Sequence, residues 1–477
     1  VRSRQGSEAS KMPPAAKDKL LESHPRVVRS QLPNGFKIVY LENEYPNDRF
    51  SAFLDVAVGS IDEEDDQQGL AHYLEHLVFL GTEKWKTAEE MKDLMGTLGM
   101  SFGGDTNAST DHRSTIYTMD APAGKDKVKL VVEILYEMMF KALLLDANID
   151  TERGPILSEK QMRNTIGYRR SIKMLGMMHA ANRIPLRLPI GLEEQIKSFS
   201  SKDLRRFYDK WYFAGNMTLY VAGVFSPDAL SKAVAATFGK APVRPPAAVP
   251  TREPIVHTYA RPDGDRVRTF LHDLQPQFTC SLEQISAREA MTTEAHFLRD
   301  VETYLTVMSF DDRIEAIRSS SSDPPFTHIS LDVINDPMYD CKSLGLTVSS
   351  RPADWRKAVR LAVTEVMKLR EFGINKDELR LIKSMYLKNV EDDAEQNDTF
   401  PSEEWLDDVM GCDSMNHTFQ DKRQELAMVK RCLKLVTLET VNKCCKELTD
   451  AVANILTDES SAGILLSGPI DPSSSLP

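Results

Sequence analysis

No stretch of this chain approaches the roughly 18 to 20 consecutive apolar residues that a bilayer-spanning helix needs, so no transmembrane segment is expected. Cysteine is scarce. Cys280, Cys341, Cys412, Cys432, Cys444 and Cys445 all fall in the second half, without the paired spacing of a zinc ribbon or a small disulfide framework, and read as thiols of a reducing compartment. Positive charge is also short: 59 Lys and Arg against 71 Asp and Glu leave a formal charge of −12, with no locally basic patch. That argues against nucleic acid or an anionic membrane as partner. An initiator methionine is missing as well, so Val1 is expected to mark a processed end or a fragment, and any targeting peptide lies out of view. What remains, 477 residues with 41% hydrophobic and 27% charged, is the composition of a folded protein of two to four domains.

The clearest internal boundary is the proline-rich run from Lys240 to Pro254, which suits neither a helix nor a central strand. It predicts a lead-in over 1–26 that is disordered, a first domain over 27–240, a linker over 241–256, a second domain over 257–470 and a tail over 471–477. Before the linker, the apolar run from Met217 reads as a strand, followed by a helix with Ser226 as N-cap and Pro227 at its first position. The run from Ala462 to Gly468 resembles the same strand again, and each is preceded by a similar helix, from Ser201 and from Leu438. The pattern suggests an internal duplication. Strands around 32–41 and 53–59, then helical patterns over 69–80, 87–98, 126–141 and 148–180, point to an α+β layering of sheet under helices.

Chemistry concentrates in Gln67-Gln-Gly-Leu-Ala-His-Tyr-Leu-Glu-His-Leu, where His72 and His76 stand four residues apart after a glycine helix start. On a helix these imidazoles share one face and can converge on a tetrahedral zinc, with Glu75 beside them as a proton acceptor for a bound water. A chance recurrence of these letters, or simply buried histidines, fits the spacing too. A third donor is needed. Glu152 and Glu159 are seven apart, two helical turns, and share a face; the same spacing also fits an acidic solvent-facing surface.

Together, the segment Gln67–Thr82 and the run Glu152-Arg-Gly-Pro-Ile-Leu-Ser-Glu159 resemble the pitrilysin/insulinase family of inverted-motif zinc metallopeptidases, to which mitochondrial processing peptidase and core subunits of respiratory complex III also belong. The lead-in Asp65–His72 and the insertion Met100–Asn107 are most similar to the pyrroloquinoline-quinone-associated branch of large zinc proteases. The resemblance implies two homologous domains, each a mostly antiparallel sheet covered by helices, forming half of a clamshell. It implies His72, His76 and Glu159 as zinc ligands, Glu75 as general base, Glu152 one layer out, and Asn107 and Ala108 as edge-strand residues that pair with an unfolded peptide substrate. Phe79 lines either the substrate cleft or the core.

Other features depart from the family pattern. Arg313 and Arg318 stand where the family's arginines are expected, but Phe326 and Thr327 replace the expected tyrosine. His257, His272, His296, His328 and His417 are isolated. These departures imply a catalytic half that needs a second pitrilysin-type half or partner subunit, since losing an oxyanion donor costs on the order of 10² to 10³ in rate. The expected function is hydrolysis of short unfolded peptides or targeting sequences. The alternative is a structural core-type subunit of an organellar complex. Sequons at Asn107, Asn216, Asn397 and Asn416 read as chance, because a glycan at Asn107 would block the cleft; with the free thiols, this favours a mitochondrial or plastid interior.

Overall fold

A computed structural model describes residues 19–252, 255, 267–457 and 462–470. The first half contributes six strands, β1 (Val28–Gln31), β2 (Lys37–Glu42), β3 (Arg49–Val56), β4 (Thr106–Thr110), β5 (Thr115–Pro122) and β6 (Met217–Gly223). Its helices are α1 (Leu70–Leu77), α2 (Ala88–Leu98), α3 (Lys125–Phe140), α4 (Asp146–Arg163), α5 (Ile166–Met178), α6 (Glu193–Ser198), α7 (Ser201–Trp211) and α8 (Pro227–Ala236). The second half has β7 (Val267–Leu271), β8 (Phe278–Ala287), β9 (His328–Asp336), β10 (Cys341–Ser350) and β11 (Ala462–Gly468). Its helices are α9 (Glu294–Ser319), α10 (Trp355–Phe372), α11 (Lys376–Glu395), α12 (Ser402–Ser414), α13 (Lys422–Leu435) and α14 (Leu438–Thr457).

The sheets run β1-β2-β6-β3-β5-β4 and β7-β11-β8-β10-β9. With β1 set aside, both follow one order: first, last, second, fourth, third. In both, the first and last strands pair in parallel and every other pairing is antiparallel. The strand echo between Met217 and Ala462 is therefore an architectural repeat, and the α+β class holds. Ser226 does cap α8, accepting from the Ala229 N–H.

The halves interlock. Along β6, Leu219 and Val221 enter the first core while Tyr220 and Ala222 face the other way and pack with Trp405, Leu406 and Val409 of α12. A strand covered on both faces reads as one continuous apolar run, as this one does. Reciprocally, Met177 and Met178 of α5 pack against Ile285, Cys341 and Leu465 of the second sheet. The helix expected over 148–180 is in fact two: Asn164 leaves the helical conformation, and Thr165 is extended and accepts from the Tyr168 N–H, starting α5 afresh. That break lets α5 leave the first half.

The disordered lead-in over 1–26 needs correction where it falls on described residues. Leu21 is buried in the second core, the Lys19 carbonyl accepts from the Glu294 N–H, and His24 stacks on Phe419 with Trp405 edge-on. Residues 1–18, much of 253–266 including His257, and 471–477 lie outside the described residues. The proline-rich stretch runs pinned along α7: the Arg244 guanidinium covers the Phe213 ring at 4.3 Å, and Arg252 covers Trp211 at 5.2 Å.

Trp405 is fully buried in the seam between halves. Trp405→Ala is expected to lower stability by about 3–5 kcal/mol, read as a shift of the urea-unfolding midpoint.

Candidate metal centre

Helix α1 starts at Gly69, whose φ of +108° is open to glycine at little cost. A Cβ there would meet the Cα of Gly191 at 3.0 Å, and Gly191 itself has φ +71°. Two glycines back to back thus let the loop after α5 close over the helix start. The buried Glu63 carboxylate completes the seat, accepting from the N–H groups of Gly69 and Ala71, each at 2.9 Å. An anion at a helix N-terminus is favoured by the orphan amides and the dipole. Burial nevertheless pushes the Glu63 carboxyl up to about 8.

Helix α4 is clamped alongside. Tyr73 Oη donates to the Ile149 carbonyl, and Asn148 Nδ2 to the Leu80 carbonyl at 3.1 Å. With α4 in this register, one carboxylate oxygen meets both imidazoles: Glu159 Oε2 lies 3.3 Å from His72 Nε2 and 3.6 Å from His76 Nε2. Glu152 Oε2 lies 3.3 Å from His76 Nδ1. The nearest donor atoms of His72, Glu75 and His76 fall within 4.8 Å of one another. Glu75 Oε2 accepts from Thr110 Oγ1 at 2.6 Å. His72 is 3% exposed, and its Nδ1 has no hydrogen-bond partner among the described residues.

These contacts shape the electrostatics. Burial alone would lower the His76 pKa, but the bonds to Glu152 and Glu159 outweigh it and raise it to about 9. Glu159 is held far below the usual carboxylate range by hydrogen bonds from His72 and His76, with Arg163 adding an ion pair to Oε1 at 2.6 Å. The donor set fits a small dication. Tetrahedral bonds of 2.0–2.1 Å separate neighbouring donors by about 3.3–3.4 Å, close to the observed nitrogen to Glu159 distances.

All five chemistry-bearing residues singled out by spacing, His72, Glu75, His76, Glu152 and Glu159, come together. Asn107 and Ala108 lie on β4, which ends the six-stranded sheet and, among the described residues, pairs only with β5. The Ala108 N–H donates to Asn107 Oδ1 at 2.9 Å. Phe79 belongs to the first core, edge-on to Phe102. Arg313 has a structural task, binding Glu378 at 2.8 Å and the Gly373 carbonyl at 2.7 Å, and Arg318 covers the Phe326 ring. Sequence reasoning missed Glu63, Thr110 and Arg163. Arg163, four residues after Glu159, follows ordinary helical pairing, and Glu63 precedes a glycine helix start, which is a capping signal.

A buried helix with H-x-x-E-H, faced by carboxylates from a second helix on an α+β half, is the arrangement of an inverted-motif metallopeptidase. Residues 38–184 match the family described as insulinase, peptidase family M16, and residues 198–305 match the peptidase M16 inactive domain. Together the matches take in more than half of the chain, and the chain belongs to peptidase family M16. It is 33% identical to the chloroplastic stromal processing peptidase of Oryza sativa subsp. indica over 91% of its own length and 38% of that protein. To the probable zinc protease PqqL of Escherichia coli (strain K12) it is 25% identical over 89% of its length and 45% of that protein. The crystal structure of the first half of the periplasmic protease PqqL from Escherichia coli superposes with a TM-score of 0.82 at 22% identity, covering 94% of this chain and 93% of that one. The chain thus spans less than half the length of these two curated relatives.

Glu63→Ala is expected to destabilise the protein by about 1–3 kcal/mol, by orphaning two buried N–H groups at the start of α1. Denaturant unfolding checks this, and metal affinity should fall with it.

Proposed function

We propose that the chain is the zinc-bearing half of a zinc-dependent metalloendopeptidase acting on short unfolded peptides or targeting sequences. The observation that carries this reading is the approach of Glu159 Oε2 to both His72 Nε2 and His76 Nε2, in a cluster where His72, Glu75 and His76 lie close together. His72, His76 and Glu159 would hold the zinc. When bound, zinc polarises a scissile carbonyl and lowers the pKa of a water to about 7.

The remaining work falls to the chain itself. Glu152 at His76 Nδ1 sets the tautomer that leaves Nε2 free to ligate. Arg163 occupies Glu159 Oε1 and leaves Oε2 for the metal. Thr110 holds Glu75 by Oε2, so that Oε1 is free to take a proton from the attacking water and return it to the leaving amine. A peptide added along β4 would pair with Asn107 and Ala108, displacing the Asn107 side chain from the Ala108 N–H. Backbone pairing of this kind suits an unfolded chain.

Arg313 and Arg318 are engaged within the second half, which supports reliance on a second pitrilysin-type half for oxyanion stabilisation. The five convergent groups favour an enzyme over a core-type scaffold subunit, which needs none of them. A mitochondrial or plastid interior goes with this reading: the stromal processing peptidases to which the chain is similar are chloroplastic, and all six thiols are free.

The test is zinc content and peptide cleavage for wild type, His72→Ala and Glu75→Gln, each with and without candidate second halves. Wild type and Glu75→Gln are expected to bind zinc stoichiometrically, His72→Ala to lose it, and Glu75→Gln to lose about 10² to 10⁴ in cleavage rate. Stoichiometric zinc without cleavage in any combination would leave the scaffold reading standing. A chelator is expected to abolish cleavage and added zinc to restore it. For the isolated chain, cleavage is expected to be slower than for a complex with a second half, by about 10² or more.

A further inference from the structure

A cavity of about 610 Å³ opens between α5 and the second sheet. Its floor is the sheet face turned away from the second core. Side chains alternate along a strand, so Cys280, Leu282, Leu344 and Leu346 enter the core while Ser281, Glu283, Ser343 and Thr347 line the cavity. Glu283 stands across from Gly345 in β10, and Gly345 across from Asp332 in β9. One rung therefore carries two carboxylates flanking a residue without a side chain. A Cβ at Gly345 would already lie 3.4 Å from the Glu283 carboxyl carbon, so the glycine keeps that carboxylate approachable.

Glu283 has no hydrogen-bond or ion-pair partner among the described residues. The nearby cation, Arg170 on α5, directs its donors instead to Ser467 Oγ at 3.0 Å and Ser281 Oγ at 2.6 Å. Burial pushes the Glu283 carboxyl up to about 7, which Arg170 offsets only in part. His112 also lines the cavity and is 3% exposed, with the Ile184 backbone as a polar neighbour. Its ring meets Tyr339 edge-on at 5.1 Å. The cavity thus offers a carboxylate without a direct partner, hydroxyls and aromatic walls, while its lining cation, Arg170, is turned to serine hydroxyls.

Its position ties it to the metal centre. His112 follows Thr110 by two residues, so their Cα atoms lie within about 7 Å of each other, and Thr110 bonds Glu75. A polypeptide laid along β4 would run off the strand's end beside this cavity. A guanidinium has five N–H donors on a planar face that pairs with a carboxylate and stacks on aromatic rings, carried on an apolar stem. We propose that the cavity is a specificity subsite for an arginine side chain of the bound polypeptide, with Glu283 as its counter-ion. The proposal rests on the reading of β4 as the strand that pairs with substrate.

The test uses fluorescently labelled serine- and alanine-rich peptides carrying one arginine, moved residue by residue and matched at each register by its neutral isostere citrulline. Binding is measured by anisotropy on the zinc-loaded Glu75→Gln chain, and cleavage of the same peptides on the zinc-loaded wild type. At one register arginine is expected to bind about tenfold or more tighter than citrulline. Adding Glu283→Gln should erase that difference, with zinc content and circular dichroism unchanged, and Glu283→Asp should retain part of it. Equal binding of arginine and citrulline at every register, or a preference that survives Glu283→Gln, overturns the subsite, while cleavage of these peptides would leave the peptidase reading intact. Peptides not bound at any register would overturn the subsite, and absence of cleavage also in complexes with second halves would overturn the peptidase reading.

Discussion

Concentrated negative charge is the constraint around which the first half is organised. Glu75, Glu152 and Glu159 crowd two imidazoles in a region where Arg163 is the cation in direct contact. Burying like charges is costly unless an opposite charge joins them. In the protein alone, a proton on His76 helps supply it: hydrogen bonds to Glu152 and Glu159 raise the His76 pKa, and bonds from the imidazoles lower that of Glu159. A dication answers the same need at the same donors. The surrounding contacts can be understood as what holds mutually repelling groups in register.

Two devices do that holding. The start of α1 is fixed by Glu63 and by the close approach of Gly69 and Gly191, where a side chain on either residue would push the loop away. The flank is fixed by α4, tied to α1 through Tyr73 and Asn148. The loop from Ile184 to Gly191 serves both purposes, since the Gly191 carbonyl also accepts from Lys160 of α4 at 2.5 Å. The edge strand β4 lies outside this clamp.

The residues of the candidate centre were legible because helical periodicity alone puts His72 beside His76 and Glu152 beside Glu159; that the two pairs face each other is a tertiary fact, for which only family resemblance spoke. The duplication was visible in the strand at Ala462 because a doubly covered central strand stays apolar at every position. The break at Asn164 and Thr165 was not visible, since both residues occur within helices and the gain from turning α5 aside is realised only on a sheet more than a hundred residues later. The ordering of residues 19–26 was hidden for the same reason: polar surroundings say nothing about an edge such as Thr292 to Glu294 waiting to accept the chain. Glu63 was lost among neighbouring acids, from which burial alone distinguishes it.

The exchange of α5 and α12 between the halves also bears on how such a chain can be inherited. A cut at the proline-rich stretch would separate the residues of the two sheets neatly in sequence, yet it would strip each sheet of a helix that covers one face and leave Tyr220 and Leu465 facing water. Neither half is a portable module. Recombination, fusion or loss should therefore act on the interlocked pair as a block, so that larger proteases grow by whole valves and seldom by single sheets.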